Sequence, residues 1–454
     1  MLHPSLKKTA PGIRQLLPLP IGPLARMRSD LLGFFLEGQR RYGDVFRFQI
    51  GPLRFHLLAH PEHVRHVLVD NQVNYKRSWA YERPKIAAGE GLVTTDGPVW
   101  RRLRRMVQPA FHRDRIEAMA GQMTEAADAM LQRWRVLDEK GEPVDVAAEF
   151  TALTLRIVGR TLLSVDLGGE ADRLGPAIVG ALEFVHYQLD CLVPPPLIFP
   201  TSRNRRFRRD IGLLDSIIYA IIAGRRASGV VTGDLLSMLL EVRDAETGAG
   251  LTDRELRDQL ITFIVAGHET TANSLAWTFY LLSQYPEAAD RLRAEIDTVL
   301  GGRAPTVADF PQLSYTRRVI EESLRLYPTV YGVARQPLAD DEIGGYRIPR
   351  RSQVLLSPFV THRHPDFWSE PEIFDPDRFL PERSAGRPRF AWFPFLGGPH
   401  QCIGQEFAMM EIMLVVVMIA QRFRLGLVPG HVVEAKAMLS LRPRDGLPMF
   451  IHQV

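Results

Sequence analysis

The chain has 454 residues, 46% hydrophobic and 24% charged, the composition of a globular protein large enough to enclose a cofactor. Its 56 Lys and Arg against 52 Asp and Glu leave a net charge of +4, too even a balance to point to a nucleic-acid partner. Two cysteines, Cys191 and Cys402, exclude a disulfide framework or a cysteine-based zinc cluster, fit a reducing cytoplasm, and confine any thiolate chemistry to one of two residues.

Residues 1–30 form a Pro-rich segment whose prolines and charges interrupt any helix, and no signal peptide is evident. YGDVFRFQIG and LRFHLLA predict two short strands around the turn-like Gly51-Pro52. A helical stretch from Pro61 follows, then a loop rich in aromatic and charged residues from Asn74 to Gly97. Helical periodicity dominates from Gly97 to about Arg135 and again through Leu163. Three consecutive prolines make residues 191–204 a loop between helical stretches, a suitable place for the cover of a pocket. Thr252 to Gln284 predicts one long helix, roughly 45–50 Å at 1.5 Å per residue. Another helix ends at Tyr327, before Pro328, and short strands and Pro-rich meanders come next. A last long helix is expected from just beyond Cys402 to about Phe423. Its apolar run, Ile412–Ala420, is far short of the roughly 20 residues that span a bilayer, so no transmembrane anchor is expected. The expectation is a mainly α protein with minor β-sheets (α+β), a single domain over 1–454.

The segment FPFLGGPHQCIGQEFAMMEIMLVVV carries the chemistry. Cys402 follows a Gly-Gly-Pro loop and opens an amphipathic helix, whose N-terminus stabilises negative charge and lowers a thiol pKa. Glycines there leave N–H donors unblocked and let the backbone pass close to a flat cofactor. For a lone cysteine, an inert buried side chain is the plainer reading. The spacing Phe395, Gly398, Cys402, Gly404, however, resembles the FxxGxxxCxG signature of the haem-thiolate monooxygenases, the cytochrome P-450 superfamily. The resemblance implies heme b (iron protoporphyrin IX) with Cys402 as the metal ligand, Phe395 packed near the sulfur, and Gly404 permitting close approach of helix and haem. His400 departs from the Arg that most members carry at a propionate-binding position; imidazole can donate in its place. Thiolate ligation favours O–O cleavage.

Other family elements occur in order over roughly residues 30–450. EESLRLYP sets Glu322 and Arg325 on one helix face, and with Arg378 of FDPDRF they match the family's buried ExxR network, which holds the fold. AGHETT, Ala266 to Thr271, resembles the oxygen-binding motif of the central helix. It implies Ala266 and Gly267 facing the haem, Thr270 beside dioxygen, and Glu269 on the proton-delivery route, the acid relay that O–O cleavage requires. Trp100 and Arg104 match WxxxR, and both are donors suited to a haem propionate. Arg335 matches a further propionate-binding position.

The implied activity is insertion of one atom of dioxygen into an apolar small molecule, by hydroxylation or epoxidation. The chain runs about 50 residues past the cysteine, so a separate ferredoxin or flavodoxin-type donor is expected, docking near Arg101, Arg102 and Arg105. Pocket residues by family position come from the 74–97 loop, Phe184, Tyr187, Phe263, Val330 to Val333 and Leu439, with Arg83 and Lys85 as candidate partners for a carboxylate. Fatty acids, terpenoids, steroids and macrolide-like compounds all remain open. Glu269 and Thr270 argue against a purely peroxide-driven enzyme and against a non-enzymatic gas sensor or electron carrier.

Overall fold

The structure, a computed structural model, describes residues 8–13, 21–165, 171–191 and 194–454. Most of the Pro-rich start (1–7 and 14–20) and residues 192–193 of the 191–204 loop lie outside the described residues. The described chain is mainly helical with four small sheets. It divides into two compact units, Met1–Ala80 with Glu321–Cys402 and Tyr81–Ile320 with Ile403–Val454.

The first unit is built on a five-stranded sheet. The two predicted strands are β1 (Val45–Ile50) and β2 (Leu53–Leu58), an antiparallel hairpin in register from Val45↔Leu58 to Ile50↔Leu53. Its turn is made at Gly51, φ 55°, a conformation that favours glycine. Added to it are β3 (Tyr75–Arg77), β4 (Val333–Pro337) and β5 (Gln353–Leu356), in spatial order β1-β2-β5-β4-β3. The segment expected to be a loop from Asn74 therefore begins as an edge strand. Tyr75 anchors it by donating to Asp341 at 2.6 Å, a carboxylate that also binds His66 and Asn71. Phenylalanines on alternate positions fill the space beneath the hairpin, where Phe48 stacks on Phe55 at 5.0 Å and meets Phe34 edge-on at 5.2 Å.

The second unit is helical. Its main elements are α1 (Gly97–Val107), α2 (Ala120–Lys140), α3 (Val146–Leu163), α4 (Ala171–Asp190), α5 (Ser202–Ser228), α6 (Asp253–Gln284) and α7 (Gln405–Ala420). The even periodicity from Gly97 onward is broken at Gln108-Pro109, where a tight turn and a five-residue helix separate α1 from α2. The segment expected as loop to 204 ends earlier, because the Thr201 side chain accepts from the Asn204 N–H and starts α5. At α6 a capping box between Thr252 and Glu255 fixes the predicted start. Trp134, Phe150, Phe279 and Phe423 join α2, α3, α6 and the strand after α7 in one aromatic core, with centroids 5.6–6.1 Å apart. Among the described residues no helix is long and apolar enough to cross a membrane.

Glu411 stands out in apolar α7. Both its carboxyl oxygens are buried without a hydrogen-bond partner among the described residues, and burial pushes the carboxyl well above the usual range. The folded state thus keeps a proton that the unfolded chain releases above its ordinary value of 4.5. Stability contributed by this proton falls as pH rises from there toward the raised value, by about 1.4 kcal/mol per pH unit. Glu411→Gln removes that slope. Its melting temperature relative to the parent is expected to climb between pH 5 and pH 8, and parallel curves would contradict a buried neutral acid.

Candidate functional site

Cys402 sits at the end of a loop whose backbone is tightly specified. Leu396 (φ 60°) and Gly398 (φ 67°) both take the left-handed conformation. The Leu396 N–H donates to the Phe393 carbonyl at 3.0 Å, and the Cys402 N–H returns to the Phe395 carbonyl at 3.0 Å. Gly398 is required by the chain itself, since a Cβ there would lie 1.9 Å from the Leu68 carbonyl oxygen. Its neighbour Gly397 abuts the Phe390 ring in the same way, at 2.5 Å. Gly404, by contrast, has only an ordinary contact, 3.9 Å from Phe111, and so keeps open space at the start of α7. Cys402 is exposed, just ahead of the uncapped α7 N-terminus, where a thiolate is stabilised. Cys191 ends α4 and is half-buried.

A buried network underlies this loop. Glu322 and Arg325 have no exposed side-chain surface, and Arg325 Nε and Nη2 donate to the two carboxylate oxygens at 2.6 and 2.8 Å. The remaining Arg325 donors reach the carbonyls of His362, Pro371 and Ile373. Arg378 lies 3.3 Å from Glu322, so the expected triad assembles. The sequence reading missed His362. Its Nδ1 faces the Arg325 carbonyl at 3.3 Å, and its Nε2 accepts from the Phe393 N–H at 2.9 Å. Burial and then the Arg325 charge hold this imidazole neutral, as a ring with one donor and one acceptor must be. His362 thus ties the ion-pair network to the loop that carries Phe395, Gly398, His400 and Cys402.

Arg335 on β4 belongs to the same unit. It is 2% exposed, and its Nη2 is buried with no hydrogen-bond partner among the described residues. A buried cation so placed calls for an anion.

In the second unit, Trp100 and Arg104 lie one turn apart on α1. Together with Arg101, Arg105 and His112 they line an open depression. The neighbouring arginines prove to be committed internally. Arg102 pairs with Glu255 at 2.5 Å, and Arg105 with Glu246 at 2.7 Å and Asp244 at 3.2 Å. Arg101 is exposed and has no ion pair among the described residues.

Along α6, every residue from Leu256 to Phe279 is buried except Val265, Ala266, Gly267, Glu269 and Thr270. Within this buried stretch, the AGHETT segment is thus the open window. Thr270 Oγ1 donates back to the Ala266 carbonyl at 2.7 Å. Gly267 turns its missing side chain toward α3, where a Cβ would come within 3.1 Å of Val158. A Cβ there would require Val158 to give by a few tenths of an ångström. Glu269 accepts from Ser440 Oγ at 2.7 Å.

Of the pocket residues expected from the sequence, Phe184 stacks on Phe207 at 4.1 Å and is core, and Phe263 packs against Phe111 at 5.4 Å. Arg83 donates to Gln188 at 3.2 Å and Lys85 pairs with Glu82 at 3.0 Å, so both cations already have partners.

The Cytochrome P-450 family model matches residues 16–446. Cyclooctatin synthase of Streptomyces melanosporofaciens is 39% identical over 94% of this chain and 92% of its own length. Cyclooctat-9-en-7-ol 5-monooxygenase of the same organism is 38% identical, over 93% and 90%. Pentalenene oxygenase of Streptomyces avermitilis is 35% identical, over 97% and 96%. With the mainly helical fold and an exposed cysteine before α7, these matches define a haem-dependent monooxygenase. The chain belongs to the cytochrome P-450 family. It uses heme b and inserts one atom of dioxygen into an apolar small molecule, with electrons from a redox partner.

Within each unit the residues present fit that cofactor. In the first, the buried, unsatisfied Arg335 Nη2 suits a propionate and Cys402 offers an exposed thiol. In the second, the open space at Gly404 and the window at Ala266 suit a flat ring.

Proposed function

We propose that the substrate is a cyclic terpenoid, hydroxylated or epoxidised on its hydrocarbon frame. The observation that carries this reading is the company of relatives named for cyclooctat-9-en-7-ol and pentalenene. Beside the α6 window the helical unit is aliphatic: Leu174, Ile178, Leu214, Ile218 and Val265 line a narrow crevice of about 20 Å³, apolar packing rather than a substrate-sized cavity.

The haem would be held by Cys402 as thiolate ligand and by Arg335, Trp100, Arg104 and His400 as donors to its propionates; when bound, it supplies the centre at which dioxygen is reduced and cleaved. Phe395 would pack near the sulfur, Gly398 holds the loop in its required turn, and Gly404 leaves room beside it. Ala266 and Gly267, with small side chains or none, would face the haem. The Thr270 hydroxyl orients protons there, and the Glu269 carboxyl supplies them as general acid.

The test is a titration of the purified holoenzyme with cyclic terpene hydrocarbons and alcohols, fatty acids and macrolides, followed by the haem absorption spectrum. Terpenoids are expected to drive the low-to-high-spin shift of an apolar ligand displacing water. A shift produced by fatty acids or macrolides alone would overturn the substrate class.

The electron donor in this reading is a ferredoxin or flavodoxin-type protein in the cytoplasm, a compartment suited to a chain with two cysteines. Its docking surface is the α1 face around Arg101. Arg102 and Arg105 contribute less, because Glu255, Glu246 and Asp244 already compensate their charge. Arg101→Glu should slow reduction several-fold at low ionic strength and flatten its salt dependence. Reduction kinetics identical to the parent at every salt concentration would remove α1 from the docking surface.

A further inference from the structure

The acid of α6 is not bonded to the hydroxyl beside it. Thr270 directs its proton to the Ala266 carbonyl, and Glu269 takes a hydrogen bond from across the unit. The donor is Ser440, in the turn of the hairpin formed by β6 (Ala435–Ala437) and β7 (Leu441–Pro443). Asn273, one helical turn beyond Glu269, donates from Nδ2 to Ser440 Oγ at 3.0 Å. Both partners are buried, Ser440 at 2% and Asn273 at 8% exposure.

The direction of this chain follows from the donors available. Asn273 occupies an acceptor site on the Ser440 oxygen, so the single hydroxyl proton of Ser440 goes to Glu269 Oε1 at 2.7 Å. The turn is also pinned to α6, since Trp277 Nε1 donates to the Leu441 carbonyl at 3.0 Å. Within the turn, the Met438 N–H donates to the Ser440 carbonyl at 3.0 Å. These bonds fix the Ser440 backbone beside α6, and the Asn273 bond favours the rotamer that faces Glu269.

Glu269 also opens onto a partly polar crevice. Facing it there are Glu183 and His186 from α4, His268 from α6 and Arg442 from β7, while α3 contributes the uncharged Thr151. Burial lowers the pKa of His268, whose Nδ1 lies 2.7 Å from the Ile264 carbonyl. These contacts leave Glu269 with solvent-side groups on one flank and the Ser440 hydroxyl on another.

We infer that Ser440, oriented by Asn273, is a positioning residue that holds the Glu269 carboxyl between the polar crevice and the α6 window. This rests on the reading of Glu269 as the acid of the proton route. In each transfer Glu269 gives one proton inward and regains one from bulk water through the crevice, while Ser440 keeps its own. Met438 and Leu439 line the same crevice, so a ligand pressing on this turn would shift Ser440 and with it the acid.

The experiment compares Glu269→Gln, Ser440→Ala, Ser440→Thr and the Glu269→Gln/Ser440→Ala double variant as holoenzymes. The first readout needs no substrate: the infrared carboxyl band of Glu269, identified by its loss in Glu269→Gln, should shift in Ser440→Ala and return in Ser440→Thr. The second is peroxide released per NADPH consumed, with a ferredoxin, its reductase and pentalenene as probe. Ser440→Ala should raise it roughly fivefold, the effect of a hydrogen bond worth about 1 kcal/mol, and should add nothing in the Glu269→Gln background. An unmoved band, or additive effects in the double variant, would overturn the role of Ser440. A Glu269→Gln variant that remains fully coupled would instead overturn the role of Glu269, and the inference with it.

Discussion

Cys402→Ala is expected to abolish the thiolate-haem absorption spectrum and all monooxygenase activity while leaving the apoprotein folded. Cys402 is exposed, and its backbone N–H donates to the Phe395 carbonyl, a bond that alanine keeps. Deleting the sulfur therefore removes little packing, and the cost to the apoprotein should stay within about 0.5 kcal/mol, as for other surface changes. The spectrum is decisive because the other candidate ligand lies on a different element: Cys191 ends α4 and is half-buried. A thiolate signature that persists in Cys402→Ala and vanishes in Cys191→Ala would transfer the ligand role. Haem that stays bound without a thiolate spectrum would show that Arg335 and the α1 donors carry much of the affinity.

Arg325→Leu should be the most damaging single change to the fold. It removes both bonds to Glu322 and the donors to three backbone carbonyls, and leaves a carboxylate with no exposed surface to Arg378 and the Asp375 N–H. Breaking one side of a buried ion pair costs about 3–5 kcal/mol, a large part of the 5–15 kcal/mol that typically holds a domain together. Lysine cannot substitute, because a single ammonium lacks the planar fork that serves five acceptor positions here. Damage should spread to the cysteine loop through His362, whose two ring nitrogens bridge the Arg325 carbonyl and the Phe393 N–H. Denaturant unfolding with haem occupancy measured on the same samples checks this. An Arg325→Leu protein with parental midpoint and full haem content would mean that the network is dispensable.

What could be read from the sequence was mostly what is local along the chain. The long helix at Asp253–Gln284 carries its own capping box and periodicity, and the cysteine loop its own glycine spacing. Partners far apart in sequence were not legible. The run THRHPDF gives no hint that His362 reaches both Arg325 and Phe393, and nothing near AGHETT announces Ser440, 171 residues on. The arginines of α1 read as a free basic patch because the acids that compensate them, at positions 244, 246 and 255, belong to a loop and a helix start more than a hundred residues away. Gly398 was expected to make room for a cofactor, yet the Leu68 carbonyl already forbids a larger residue there.

The pairing of β2 with β5 joins Leu58 to Leu356, and the unit containing them ends at Cys402. During synthesis its first 80 residues must wait while 240 residues of another compact unit emerge before the missing strands arrive. Such distant pairing is slow to form, because loop closure precedes any contact that rewards it. The exposed strand edges of an unfinished sheet are meanwhile open to aggregation. Cys402, the proposed haem ligand, is the last residue of that unit to leave the ribosome. With Cys402 as the proposed ligand, cofactor capture would follow the synthesis of both segments of this unit, and a shortage of haem would be felt only after that sheet can close.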